Sequence, residues 1–411
     1  MELIPNFYII RRRYNTMEHR EIVRTEYLNR LRRYKDDTGF VKIITGMRRC
    51  GKSTLMRQYM SELKASGVSE RNIVFMNMES LSNKEYLNAE SLYEHLMSIM
   101  PKEMSYVFLD EIQKVDSWER AISSMMVDRE CDIYLTGSNA YFLSTELSTF
   151  MTGRSIQIDM LPFSFKEFTE HNSLAADLDA LKRYMAIGSM PSVRSDMDPE
   201  RVFETLDMIR SDVIVKDIQK RKKITDNTIL RRTIEYLFSE IGNPLSVHSV
   251  ALSLGIDDKT ADGYLSAITE SLMFYRAKRY DLRGKKILTT NDKIYCTDLG
   301  MRNGVIGEDL RDRGRALENL VFLELMRRGY RVSVGKLGNI EVDFIASRGG
   351  KNEYFQVAWS VSDAGTLERE LRPLEGIRNN LRKTLLTTDP GNGSAEGIEI
   401  RNIVEWLIDK E

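Results

Sequence analysis

The chain has 411 residues, 42% hydrophobic and 29% charged, with a formal net charge of −1 at pH 7; that is too long for one ordinary core, and two or three domains are expected. A near-neutral balance excludes a global basic field that would attract nucleic acid. No apolar stretch approaches the roughly twenty residues needed to cross a bilayer, so no membrane partner is expected.

No apolar N-terminal core with a small-residue cleavage site is apparent. The three cysteines (Cys50, Cys131, Cys296) and four histidines are scattered. They offer no zinc spacing and suggest a reducing, cytoplasmic setting. In chain order, residues 1–40 read as one or two helices with a basic surplus (Arg11, Arg12, Arg13, Arg20, Arg24, Arg30, Arg32, Arg33, Lys35). Such a run is ordinarily a solvated helix face; a nucleic-acid backbone or an acidic neighbouring subunit is the alternative.

Val41, Ile43 and Ile44 predict a strand over 41–45, and residues 54–60 have helical spacing. Between them stands Gly46-Met47-Arg48-Arg49-Cys50-Gly51-Lys52-Ser53, followed by Thr54. Two glycines ahead of Lys and Ser, in a strand–loop–helix setting, turn successive backbone N–H groups and a helix N-terminus on an anion. Lys52 is expected to reach the β- and γ-phosphates, and the Ser53 hydroxyl to ligate Mg²⁺. The expected ligand is ATP with Mg²⁺.

A strand at 73–77 and a helix near 88–99 lead to Tyr106-Val107-Phe108-Leu109-Asp110-Glu111. An apolar run ending in two carboxylates reads as a buried parallel strand whose C-terminal end opens on the ligand. Asp110 is then expected in the Mg²⁺ shell, with Glu111 polarising the attacking water. A helix at about 116–129 and a strand at 131–136 end in Gly137-Ser138-Asn139, and a last strand covers 155–159. Strands alternating with helices imply a parallel sheet covered on both faces. Ser138 and Asn139 should lie near the γ-phosphate; either residue is alternatively a helix cap.

The set "ITGMRRCGKSTL", "YVFLDEIQ", "YLTGSNA", "TGRSIQI" and "LPFSFKEF" resembles the bacterial and archaeal AAA+ ATPases that carry a C-terminal domain of unknown function. The resemblance runs from Arg24-Thr25-Glu26-Tyr27-Leu28 to Trp406. It implies that Asn139 or Ser138 is the sensor residue. It also implies that Arg154 is an arginine finger reaching a neighbouring subunit's ATP, with Arg120 and Arg129 as rivals. In the same terms Pro191, in Gly188-Ser189-Met190-Pro191, packs near the adenine; a helix-stop turn explains the same residues.

Residues 243–280 read as helix, Gly255 turn, helix and wing. Arg276, Lys278, Arg279, Arg283, Lys285 and Lys286 form a basic wing, a possible DNA contact. Asp257, Asp258 and Asp262 on the second helix oppose groove insertion and favour a structural role for that helix. After a helix from Arg313 to Arg328, strands are expected at 331–334, 340–346 and 354–358. A helix at 367–380, a strand at 383–387 and a helix containing Trp406 follow. This order resembles the restriction-endonuclease-like fold. It would place Glu318, Asp343 and Gln356 at a metal centre, with Ala358 where that centre expects Lys; Lys351 and Lys383 are the nearest substitutes. A fold kept for binding or assembly is the preferred reading.

The expected architecture is therefore α/β. It comprises an N-terminal helical segment (1–40), a P-loop AAA+ parallel-sheet core (41–172), a helical lid (173–240), a winged-helix-like module (241–300) and a restriction-endonuclease-like domain (301–411). The expected activity is Mg²⁺-dependent ATP hydrolysis coupled to rearrangement of a protein or nucleic-acid partner, with subunits meeting in a homo-oligomer. The alternatives are an ATP-gated nuclease and a nucleotide-switched DNA-binding or assembly protein.

Overall fold

Among the described residues, three sheets organise the chain. The computed structural model describes residues 21–138, 153–219, 224, 226–288 and 291–409. Arg11, Arg12, Arg13, Arg20 and Asn139 lie outside the described residues.

The first sheet contains β1 (Val41–Thr45), β2 (Ile73–Asn77), β3 (Ser105–Asp110), β4 (Cys131–Gly137) and β5 (Ser155–Asp159). Its order is β2-β3-β4-β1-β5, and every pairing is parallel. Parallel strands need crossovers, and helices provide them. These are α2 (Lys52–Ala65), α3 (Ala89–Ile99) and α4 (Trp118–Asp128), while α1 (Thr25–Arg33) precedes β1. Side chains alternate across the pleat. Val107 and Leu109 join Leu92, Leu96 and Ile122 on one face. Tyr106 and Phe108 join Tyr27, Leu31, Leu55 and Tyr59 on the other. With both faces covered, β1, β3 and β4 are wholly buried, including Lys42 of β1 and Asp132 of β4, which pair at 2.6 Å.

Beyond β5 the chain is helical: α5 (Phe165–Asn172), α6 (Leu178–Ile187) and α7 (Pro199–Val213). The Ser164–Glu167 capping box starts α5, and Asp198 with Pro199 starts α7. A π-helical turn, Ile214–Gln219, extends α7, and α8 (Asn227–Ser239) follows. Next come β6 (Pro244–Leu245), α9 (Val247–Leu254) and α10 (Asp258–Glu270), with Gly255 between the helices at φ 69°. Val250, Ala251, Leu254, Tyr264 and Ile268 are buried at their contact. Then follow β7 (Phe274–Ala277), β8 (Arg279–Asp281), β9 (Lys286–Ile287) and β10 (Asp292–Cys296). Strands β6, β10 and β7 make a small antiparallel sheet. The β8–β9 hairpin does not stand free as a wing. Strand β8 pairs in parallel with β11 (Arg331–Leu337) and so edges the third sheet.

Helices α11 (Leu299–Ile306) and α12 (Arg313–Arg327) lead into that eight-stranded sheet. It continues through β12 (Ile340–Arg348) and β13 (Lys351–Ala358), then after α13 (Ala364–Glu375) through β14 (Lys383–Thr387), β15 (Gly393–Ala395) and β16 (Ile398–Asn402), and ends with α14 (Ile403–Ile408). Its order is β15-β16-β14-β13-β12-β11-β8-β9. Strands β15 and β16 are additions to the sequence-based expectation. One hydrophobic cluster runs from Leu161 through the helical region to Leu407, so the segments after β5 share a core.

Candidate functional site

Parallel pairing brings the C-terminal ends of the first sheet to one edge. Thr45 is level with Gly137 and Asp159, and Asn77 with Asp110. The loop after β1 turns there into α2. A Cβ on Gly46 would stand 2.3 Å from the Met160 carbonyl oxygen, and Gly51 has φ 109°, so both positions require glycine. Met47 and Cys50 are fully buried and fix the loop against the core. Burial pushes the Cys50 thiol above its usual value. Arg24, itself 2% exposed, ties the loop to the chain beyond β5. It donates to the carbonyls of Cys50 (3.1 Å) and Leu161 (2.8 Å) and pairs with Glu167 at 2.8 Å.

Lys52 and Ser53 open α2. The Lys52 ammonium donates to the carbonyls of Gly46 (2.9 Å) and Met47 (3.3 Å) and lies 3.9 Å from the Glu111 carboxylate. Asp110, fully buried, accepts from Thr136 Oγ1 at 2.6 Å and Asn77 Nδ2 at 2.9 Å. Burial raises its carboxyl above the ordinary value; hydrogen bonds from Thr136 and Ser53 offset only part of this. Ser53 and Asp110 are thus neighbours, as one hydroxyl and one carboxylate sharing Mg²⁺ with phosphate oxygens would need to be. Among the described residues no group of three or more His, Cys, Asp and Glu side chains could hold a metal ion.

Glu111 stands at φ 57°, in the left-handed region, which aims its side chain back across the sheet edge. Its N–H donates to Thr136 Oγ1 at 2.9 Å. Its carboxylate accepts from Gln113 Nε2 and lies 3.1 Å from the Ser138 hydroxyl. Burial works to raise this carboxyl, but Lys52, Arg48, Gln113 and Ser138 together hold it below its ordinary value. The edge therefore brings together an ammonium, an ionised buried glutamate and an aspartate suited to a cation.

Thr54 and Gly51 line a cavity of about 180 Å³ with Ile22, Arg24, Phe163, His171 and Pro191. Pro191 thus lies beside the phosphate loop although it is far away in sequence. Arg154 does not join the cluster: it is exposed and precedes β5, where its carbonyl accepts from Val41 N at the opposite end of the sheet. Arg120 pairs with Glu90 at 3.2 Å. Sequence reasoning passed over Asn77, Gln113, Thr136 and Asp217. The first three end or follow strands at this edge, a signal that was legible. Asp217 comes from the π-turn and carries no motif.

In the C-terminal sheet Glu318 accepts from Lys293 Nζ (2.9 Å) and Tyr295 Oη (2.6 Å). Lys293 also meets Glu341 at 2.7 Å. Asp343 Oδ2 accepts from Val357 N at 2.9 Å, and Gln356 Nε2 donates to Glu370 at 3.2 Å. Burial and Glu318 push the Asp343 carboxyl well up, against the pull of Lys293. The lysine at this cluster comes from β10, whereas Lys351 begins β13 and Lys383 donates to the Ile377 carbonyl. Of the basic segment, Arg276 of β7 pairs with Asp292 (3.1 Å) and Arg279 of β8 with Glu341 (2.7 Å).

The five-stranded parallel sheet with its phosphate-loop edge defines a nucleotide-binding core of the AAA type, and residues 38–169 match the AAA domain family. Residues 178–312 match a domain of unknown function, DUF8612. An uncharacterized protein of Haemophilus influenzae is 36% identical over 400 residues, spanning 94% of this chain and 98% of the relative. This chain belongs to the same family of AAA-domain proteins. Uncharacterized protein MJ1544 of Methanocaldococcus jannaschii is 27% identical over 367 residues, 83% of this chain and 79% of that protein. Among solved structures, the replication initiator DnaA bound to AMPPCP and single-stranded DNA is similar with a TM-score of 0.31 and 15% identity, over 60% of this chain and 86% of that one. Drosophila ORC bound to DNA is similar with a TM-score of 0.27 and 9% identity, over 69% and 86%. Among the described residues no helix is long and apolar enough to cross a membrane.

Proposed function

We propose that the protein is an Mg²⁺-dependent ATP hydrolase of the AAA+ class whose turnover rearranges a partner. The carrying observation is the meeting of Lys52, Ser53, Asp110 and Glu111 at one sheet edge, with the Lys52 ammonium 3.9 Å from Glu111. The amides of Gly46, Met47, Arg48, Arg49, Cys50 and Gly51, with those of the first α2 turn, cradle the phosphates. Lys52 leaves its loop carbonyls for the β- and γ-oxygens. Ser53 and Asp110 would hold Mg²⁺, which when bound would supply positive charge to neutralise the phosphates. Glu111, kept ionised by its neighbours, accepts the proton of the attacking water. Ser138, and Asn139 beyond it, sense the γ-phosphate. The cavity lined by Ile22, Phe163 and Pro191 takes the adenine.

Arg154, exposed and remote from its own chain's phosphate loop, acts only across a subunit interface in this reading. The lid and helical module transmit the change, and the exposed lysines Lys285 and Lys286 of the β8–β9 turn are the DNA contact to test. We read the C-terminal, restriction-endonuclease-like sheet as a binding and assembly unit. Lys293 pairs with Glu318, one of the carboxylates that a nuclease would give to its metal, and with the nearby Glu341. Steady-state phosphate release tests the ATPase: Lys52→Ala and Glu111→Gln should each lose about 10²-fold or more, with Glu111→Gln still binding ATP. Equal turnover in all three proteins would remove the assignment.

A further inference from the structure

Two adjacent arginines occupy the middle of the phosphate loop, and acids of a single distant segment hold both. Arg49 Nη2 meets Asp212 of α7 at 2.6 Å, on the surface. Arg48 is buried and grips Asp217 with two nitrogens, Nε at 3.1 Å and Nη2 at 3.3 Å. A fork of this kind matches any planar or tetrahedral oxyanion with two free oxygens. Arg48 also reaches Glu79 at 3.3 Å. Burial opposes the charge of Arg48, but Asp217, Glu111 and Glu79 hold it firmly protonated.

The Asp217 carboxylate does more than clamp the arginine. Its Oδ1 lies 3.2 Å from the Ser138 hydroxyl, which is also 3.1 Å from the Glu111 carboxylate. A hydroxyl has one proton, so two buried carboxylates share a single donor. A clamp serving only stability has no need to crowd a second negative charge against Glu111. The donors that surround Asp217, an arginine fork and a strand-end hydroxyl that also meets Glu111, are those that would surround a γ-phosphoryl group. Asp217 sits on the π-turn that ends α7 rather than on regular helix. Such turns re-aim a side chain at a cost in helical hydrogen bonding.

We infer that Arg48 is a catalytic residue acting within its own chain on the transferring phosphoryl group, and that Asp217 is an internal stand-in for that group which a nucleoside triphosphate displaces. This rests on the ATPase reading above. In the step concerned, the water oxygen bonds to the γ-phosphorus while the bond from that phosphorus to the β,γ-bridging oxygen breaks. ADP leaves with the electron pair, and Glu111 takes the water proton. Charge spreads over the equatorial phosphoryl oxygens, where the Arg48 guanidinium stands. A diphosphate lacks the group that competes with Asp217. Release of the π-turn, itself within the segment matched by DUF8612, therefore reports the γ-phosphate to the rest of that segment.

The test is calorimetric binding of ADP and of ATPγS, with Mg²⁺, to the full-length wild type, Asp217→Asn, Arg48→Gln and the double variant. Asp217→Asn should tighten ATPγS about tenfold and leave ADP unchanged, and the gain should vanish in the double variant. Arg48→Gln should cut kcat by about 10²-fold or more, with a smaller change in KM. An unchanged ATPγS-to-ADP affinity ratio in Asp217→Asn, or wild-type turnover in Arg48→Gln, overturns the inference and leaves the ATPase standing. Failure of every protein, wild type included, to bind either nucleotide overturns both. If Asp217→Asn does not fold, Asp217→Ser is measured in its place against the same outcomes.

Discussion

At the scale of single residues, the site sets function against stability. Asp110 is fully buried, and burial raises its carboxyl above the ordinary value. A carboxyl whose folded-state value is raised contributes most below its unfolded value, and that contribution is lost as pH rises through the folded one. At neutral pH the ionised Asp110 is therefore a cost that a bound cation would offset. Asp110→Asn should melt a few degrees above the wild type by calorimetry while losing ATP turnover. A lower melting temperature would mean that Asp110 holds the fold through Thr136 and Asn77 rather than waiting for a cation. Glu111 has the opposite sign. Against the effect of burial, Lys52, Arg48, Gln113 and Ser138 hold its carboxyl below the ordinary value, so it stays ionised, ready to accept a proton, across the neutral range. The sequence displayed Lys52, Ser53, Asp110 and Glu111 because the roles proposed for them demand fixed residue types at fixed places. It did not display Asp217, since an acid at the end of a helix carries no pattern until the fold sets it against Arg48.

At the scale of elements, apolar β-branched runs and helical periodicity were enough to read β1 to β5 and the helices between them; the inner strands β1, β3 and β4 are buried along their whole length, and the edge strands β2 and β5 are partly exposed. The loop depends on one close approach. The Gly46 Cα faces the Met160 carbonyl so tightly that a Cβ would come to 2.3 Å of a backbone atom with little room to move. Gly46→Ala should cost about 1–3 kcal/mol and weaken nucleotide binding. Thermal unfolding at the wild-type temperature would refute that constraint. Strands β15 and β16 escaped sequence reading because Gly393-Ser394-Ala395 and the short run Ile398–Asn402 lack a long apolar alternation. The basic segment 276–286 looked like a free wing for a related reason. Pairing of β8 with β11 is a long-range choice that no local pattern announces.

Across the whole molecule, the phosphate-binding edge and the C-terminal sheet are joined through shared packing rather than through a flexible tether. Arg24 links the phosphate loop to Leu161, and Arg327 of α12 donates to the carbonyls of Pro162 (3.2 Å) and Phe163. Lys293 ties the small antiparallel sheet to Glu318 of α12 and Glu341 of β12. Hydrogen bonds and ion pairs thus connect the loop to the C-terminal part of the chain, as the proposed coupling of nucleotide binding to rearrangement requires. That account requires, before anything else, that the loop bind ATP. Isothermal titration of Mg²⁺–ATP into the full-length wild type and Lys52→Ala is the most direct measurement. Saturable uptake at one site per chain, weakened at least about tenfold by Lys52→Ala, is the predicted result. No uptake by the wild type, or equal affinity in both proteins, would contradict it.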